Sequence, residues 1–109
     1  MKMNYNGTTY NVEVLTYYGG MSLGIIGTDE VDSDNYEMFT LNPTIPPQDE
    51  TYIVLNNERY LGIENVLIDN GVIENELEEV IKINNVSYPV YKLTDKAVEE
   101  YEQLNDVPS

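Results

Sequence analysis

Residues 28–37 read TDEVDSDNYE, which puts five carboxylates (Asp29, Glu30, Asp32, Asp34, Glu37) in ten positions. Between Lys2 and Arg59 the chain has no lysine or arginine at all. Oxygen donors at this density could bind calcium, line a solvated turn, or form part of a polyanionic surface. An EF-hand loop needs Asp or Asn at alternate early positions, glycine at the sixth and glutamate at the twelfth. Counting from Asp32 puts Tyr36 fifth, Glu37 sixth and Pro43 twelfth; counting from Glu30 puts Asn35 sixth and Leu41 twelfth. Both registers fail. An irregular calcium site on Asp29, Asp32 and Asp34 is the one metal reading left, weighed against a solvated acidic turn.

The chain contains neither histidine nor cysteine. This excludes Ser-His-Asp and Cys-His nucleophilic arrangements, the usual zinc hydrolysis centres and disulfides. Paired carboxylates can act as acid and base when burial separates their pKa values, but each acidic pair here lies in a polar, acid-rich context. The expectation is a protein without enzymatic activity or cofactor. Gly19-Gly20 and Gly24…Gly27 match neither GxGxxG nor GxxxxGK[ST] and read as a turn and close strand packing. Ten tyrosines together with Arg59 offer an alternative, a pocket that sequesters a nucleotide by stacking, although phosphates want more cations than Arg59, Lys82 and Lys92 supply.

Twenty acids against five bases give a net charge of −15. Lys2 and Glu13 cancel within residues 1–28, so the whole excess lies in residues 29–109. Such a field repels nucleic acid and anionic membrane and favours approach to basic surfaces. Three segments carry it. Residues 29–50 hold seven acids and no base; residues 58–79 hold seven, including Glu74, Glu76, Glu78 and Glu79, with Arg59; residues 95–106 hold five, including Glu99, Glu100 and Glu102, with Lys96. Along a helix rising about 1.5 Å per residue, the last group repeats charge every 4 Å or so, against roughly 3.4 Å between phosphates of one DNA strand. These acids are the candidate partner-binding residues. Solubility is the competing use of the charge.

The elements that must position them read as one domain over 1–109, with residues 105–109 as a frayed tail. Asn6-Gly7 between Tyr/Thr/Val-rich runs predicts a two-residue hairpin turn. The second strand places Tyr10, Val12, Val14 and Thr16 on one face. MSLGIIG, EMFTLN and TYIVL follow as strands, with the prolines of NPTIPP as a stiff connector. Spacing of Tyr60, Leu61, Glu64, Leu67 and Ile68 predicts a helix over 58–70, capped by Asn57 and ended by Gly71. VIENELEEV suits either an extended connector or a helical turn. EVIKINNVSYPVYKL reads as a hairpin turning at Asn84-Asn85, with Pro89 marking an edge strand or bulge. Residues 95–104 form an amphipathic helix with Ala97, Val98, Tyr101 and Leu104 on its apolar face. The expected fold is α+β, an antiparallel sheet of five to six strands with two helices.

No apolar run reaches the roughly 18 residues that would span a bilayer, and MKMNYNGTTY lacks the apolar stretch of a signal peptide. The expected location is the cytosol, where the sequons Asn6-Gly7-Thr8 and Asn85-Val86-Ser87 are chance matches. Self-association through proline-limited edge strands is left open by the sequence.

Five stretches together resemble a family of small, uncharacterised acidic proteins of bacterial mobile elements. They are Tyr5-Asn6-Gly7-Thr8-Thr9-Tyr10, Tyr18-Gly19-Gly20, Phe39-Thr40-Leu41-Asn42, Leu67-Ile68-Asp69-Asn70-Gly71-Val72-Ile73-Glu74 and Tyr88-Pro89-Val90-Tyr91. The resemblance implies accessory genes of phages and conjugative elements, where small acidic proteins counter host defences, some by occupying DNA-binding surfaces. It supplies no catalytic residue. The acidic insert around 29–37 and the terminal helix depart from the family's pattern. Composition and resemblance together point to a non-enzymatic, anti-CRISPR-like inhibitor in the host cytoplasm. Its expected partner is a basic, nucleic-acid-binding defence effector; an acidic adaptor protein is a further alternative.

Overall fold

The structure is a computed structural model that describes residues 1–17, 22–43 and 49–104. The chain order is β1 (Lys2–Tyr5), β2 (Thr8–Thr16), β3 (Leu23–Asp29), β4 (Tyr36–Met38), β5 (Thr40–Leu41), β6 (Tyr52–Leu55), α1 (Ile63–Asp69), β7 (Ile73–Ile83), β8 (Val86–Leu93) and α2 (Asp95–Leu104). The class is α+β with two helices. In place of a single sheet of five to six strands there are two antiparallel four-stranded sheets, ordered β1-β2-β3-β4 and β5-β6-β8-β7.

The extra sheet arises at one residue. EMFTLN does not run as one strand: β4 pairs with β3 up to Ile26↔Met38, and β5 pairs with β6 from Thr40↔Leu55. Between them, Phe39 donates its N–H to Ile25 of the first sheet at 3.0 Å and accepts from Asn56 N–H, next to the second sheet, at 2.9 Å. A strand that bends from one sheet into another is a standard way to make the corner of a packed pair. The Thr40 hydroxyl accepts from Ile25 N–H at 3.0 Å and fixes the same corner.

Both hairpins turn where the sequence places them. Asn6 (φ 51°) and Gly7 (φ 82°) close β1-β2, while Asn84 (φ 51°) and Asn85 (φ 67°) close β7-β8. Two successive positive φ values define the turn whose twist matches paired strands, and asparagine tolerates them better than other side-chain-bearing residues. VIENELEEV is settled as strand β7. It is an edge strand with two register shifts against β8, between Ile73 and Leu77 and between Leu77 and Glu79. Strand β8 is central rather than an edge, yet its pairing with β6 ends at Val90, so Pro89 faces only β7 and removes no ladder bond on the other side.

The first helix is shorter than its spacing predicts. Residues 57–62 form turns, and α1 begins after Gly62, whose φ of 75° suits glycine. Asn57 is therefore not its cap, and Leu61 lies outside the helix, 77% exposed. Gly71 does adopt the expected left-handed conformation after α1. In α2, Thr94 caps the first turn by accepting from Ala97 N–H at 3.1 Å. Leu104 is exposed rather than packed with Ala97. The Gly19-Gly20 turn, most of the NPTIPP connector and the tail at 105–109 lie outside the described residues.

One core draws on both sheets and both helices, including Met3, Val12, Ile25, Phe39, Leu55, Ile63, Leu67 and Ala97. The Phe39 ring is fully buried, with Tyr5, Tyr10 and Tyr60 set edge-on to it at centroid distances of 5.9, 5.5 and 5.0 Å. Gly24 and Gly27 serve packing. A Cβ at Gly27 would stand 2.5 Å from the Phe39 ring, and one at Gly24 would stand 2.6 Å from the ring of Tyr17. Among the described residues no helix is long and apolar enough to cross a membrane.

Candidate partner-binding surface

The structure sorts the acidic residues by how far the fold already employs them. In the β3–β4 loop several are occupied. Asp29 Oδ1 accepts from the backbone N–H of Val31 at 2.9 Å and of Asp32 at 3.3 Å. Asp32 in turn accepts from Asp34 N–H at 3.2 Å and from the Asn35 side-chain amide at 3.1 Å. These are carboxylates closing their own turn. Glu30, just past β3, pairs with Lys2 of β1. Asp34 is exposed and makes no side-chain bond among the described residues. No group of three acidic side chains among those residues converges closely enough to hold a metal ion.

Glu37 leaves the loop and joins the core boundary. Tyr60 Oη donates to Glu37 Oε2 at 2.5 Å and accepts from Arg59 Nε at 3.2 Å, while the Arg59 guanidinium lies 5.5 Å above the Tyr60 ring. Burial is the main cause that holds the Tyr60 phenol proton above its ordinary range; Glu37 adds to it and Arg59 opposes it. Arg59 is thus engaged with Tyr60 and lines neither of the two grooves described below.

Strand β7 presents its acids differently. The register shifts break the strand's alternation, so Glu74, Asn75, Glu76 and Leu77 are all exposed in succession. A bulged, charged edge resists pairing with another strand. Antiparallel self-pairing of β7 would also bring glutamates opposite glutamates, which is unfavourable. Glu74, Glu76 and Glu79 make no hydrogen bond or ion pair among the described residues. Glu78 accepts from Tyr52 Oη at 3.1 Å; that bond comes first, and burial second, in raising the Tyr52 pKa, with Asp49 and Glu79 adding to it. Asp49, held by the Thr51 hydroxyl and N–H at 2.7 and 2.8 Å, is pushed below the usual carboxylate range. This part of the second sheet therefore gathers Asp49, Glu78 and Glu79 around one phenol. Leu77 and Val80, 50% and 56% exposed, lie among the β7 acids.

The third segment lies on α2, which packs against β2 of the first sheet. Glu99 and Glu102 are exposed and Glu100 is half-buried. Glu100 lines a largely apolar groove of about 330 Å³ between α2 and β2, with Met1, Val12, Val14 and Leu104. Glu102 lines a second groove of about 280 Å³. Asp106 falls outside the described residues.

The candidate acids thus occupy a sheet-end loop, a sheet edge and a helix on one sheet face. Asp29, Glu30 and Asp32 of the loop are the most committed to structure, and Asp34, Glu74, Glu76, Glu99 and Glu102 the least. The Tyr–Glu pairs leave no local signal in the sequence, because Tyr60–Glu37, Tyr52–Glu78 and Tyr88–Glu58 join residues 23 to 30 positions apart. No protein-family model, no curated protein and no solved structure matches this chain.

Proposed function

We propose that the chain is a non-enzymatic inhibitor that binds the basic, nucleic-acid-binding surface of a host protein, such as a defence effector, and competes there with the polynucleotide. The observation that carries this reading is the stretch Glu74–Leu77. It holds exposed carboxylates with no hydrogen-bond or ion-pair partner among the described residues, on an edge bulged away from strand pairing, in a chain of net charge −15. A net charge of this size weakens folding by self-repulsion. Among the described residues the acids of β7 offset none of that through pairing with a cation, which fits an external use. Opposed fields speed association and make it salt-dependent, and displacement of counterions from the basic groove adds affinity. The resemblance to accessory proteins of mobile elements supplies the setting, the cytoplasm of a bacterial host.

The test is capture from host lysate by the wild-type chain and by Glu74→Lys/Glu76→Lys, each at low and high salt. The reading expects a basic protein retained at low salt, released at high salt and lost with the charge-reversed variant, while circular dichroism of that variant stays native. Retention that is indifferent to salt and to the substitutions would point instead to an acidic adaptor whose charge serves solubility.

A further inference from the structure

The second groove opens where the end of β2, the start of β3, the residues leading into β6 and the outer turns of α2 come together. Ser22 lines it. That residue is only 6% exposed, and its hydroxyl oxygen is buried without a hydrogen-bond partner among the described residues. A buried hydroxyl left unpaired is costly, and each such group in a folded chain calls for a cause. Around Ser22 the groove's described lining offers acceptors and no lysine or arginine: the carboxylates of Glu50 and Glu102 and the hydroxyls of Thr16 and Thr51. Thr51 donates its own proton to Asp49 Oδ1 at 2.7 Å, which leaves its lone pairs to accept. Thr16 and Tyr101 hydrogen-bond to each other at the same site. Leu23 and Val98, both half-buried, are the aliphatic members of the lining.

Acceptors set beside an aliphatic strip match a group with three N–H donors at the end of a methylene stem. That group is an alkylammonium. A guanidinium is better served by one carboxylate meeting it in a planar fork; here the two carboxylates come from different elements, Glu50 ahead of β6 and Glu102 on α2. The volume falls just below the roughly 300–1,000 Å³ of pockets for drug-sized ligands, a size suited to one side chain. We propose that this groove is a lysine-side-chain site, which takes the alkylammonium end of a lysine presented by the basic partner. The source of that lysine rests on the inhibitor reading; the preference for an ammonium rests on the groove alone.

The experiment is a heteronuclear NMR titration of the whole chain at low salt with Nα-acetyl-lysine-methylamide. Its norleucine counterpart, which keeps a four-carbon stem but lacks the ammonium, is the control. The proposal expects amide shifts centred on Thr16, Ser22, Leu23, Thr51 and Val98, with a dissociation constant in the millimolar range, and no response to norleucine. Glu50→Gln/Glu102→Gln should weaken binding at least tenfold, and Ser22→Ala severalfold; each variant's undisturbed spectrum reports that it is folded. Shifts spread over all acidic segments, an equal response to norleucine, or unchanged binding by the double variant would overturn it. Because no partner is present, lysine binding together with a negative lysate capture would reject the inhibitor reading and leave the groove standing. Capture without lysine binding would do the reverse.

Discussion

The corner at Phe39 and the edge at Glu74–Leu77 show opposite relations between sequence and fold. At the corner every residue type is dictated. Phe39 is enclosed by three tyrosines, its N–H and C=O belong to different sheets, and Gly27 is tolerated there because nothing larger fits against the ring. At the edge four successive side chains face outward, and the glutamates among them have no partner within the described residues. The contrast separates what this chain needs in order to fold from what it carries for another purpose.

Removing the ring should break the corner most severely. Phe39→Ala is expected to cost about 3–5 kcal/mol, as for other buried aromatics, which denaturant unfolding would read directly. A change that leaves the ring in place but crowds it comes next. Gly27→Ala should cost about 1–3 kcal/mol through overpacking against Phe39, and pairing it with Phe39→Leu should recover part of that loss.

Proton binding by two tyrosines sharpens the contrast further. Tyr60 at the corner is raised first by burial, whereas Tyr52 in the acidic region is raised first by its bond to Glu78. Glu78→Gln should therefore lower the Tyr52 titration toward its ordinary value by removing its first cause, while Glu37→Gln should leave Tyr60 still raised by burial; ring resonances followed by NMR distinguish the two. Because both phenols hold their protons more tightly folded than unfolded, their contribution to stability is full below about pH 10 and is lost as pH rises through the folded values. Thermal unfolding midpoints should thus fall across that alkaline range. The smallest effect belongs to the edge: Glu74→Gln/Glu76→Gln should move stability by no more than about 0.5 kcal/mol, in the stabilising direction as repulsion is relieved.

What the sequence makes legible follows the range of the interactions involved. Both hairpins are readable because Asn6-Gly7 and Asn84-Asn85 encode their turns within two residues. The α2 helix is readable from its own periodicity, although the exposure of Leu104, its last residue, is not. The split into two sheets is not readable, because it depends on Phe39 bonding Ile25 and Asn56 at once, and EMFTLN looks like an unbroken strand. The first helix loses its opening turns because Gly62 takes a left-handed conformation that spacing alone does not reveal. The acidic segments are plain in the composition. Which of their carboxylates the fold has already used appears only through distant partners such as Tyr60 and Tyr52, and the groove at Ser22 needs four elements brought together before it exists.

The central claim is that carboxylates such as Glu74 and Glu76 compete with a polynucleotide for a cationic groove. The most direct measurement is capture of the lysate partner by the wild-type chain in the presence of rising concentrations of duplex DNA, at fixed low salt. The account predicts that DNA displaces the partner in proportion to its concentration and that the displaced protein is itself bound to the DNA. A partner that stays on the chain while DNA is bound to it would contradict the account.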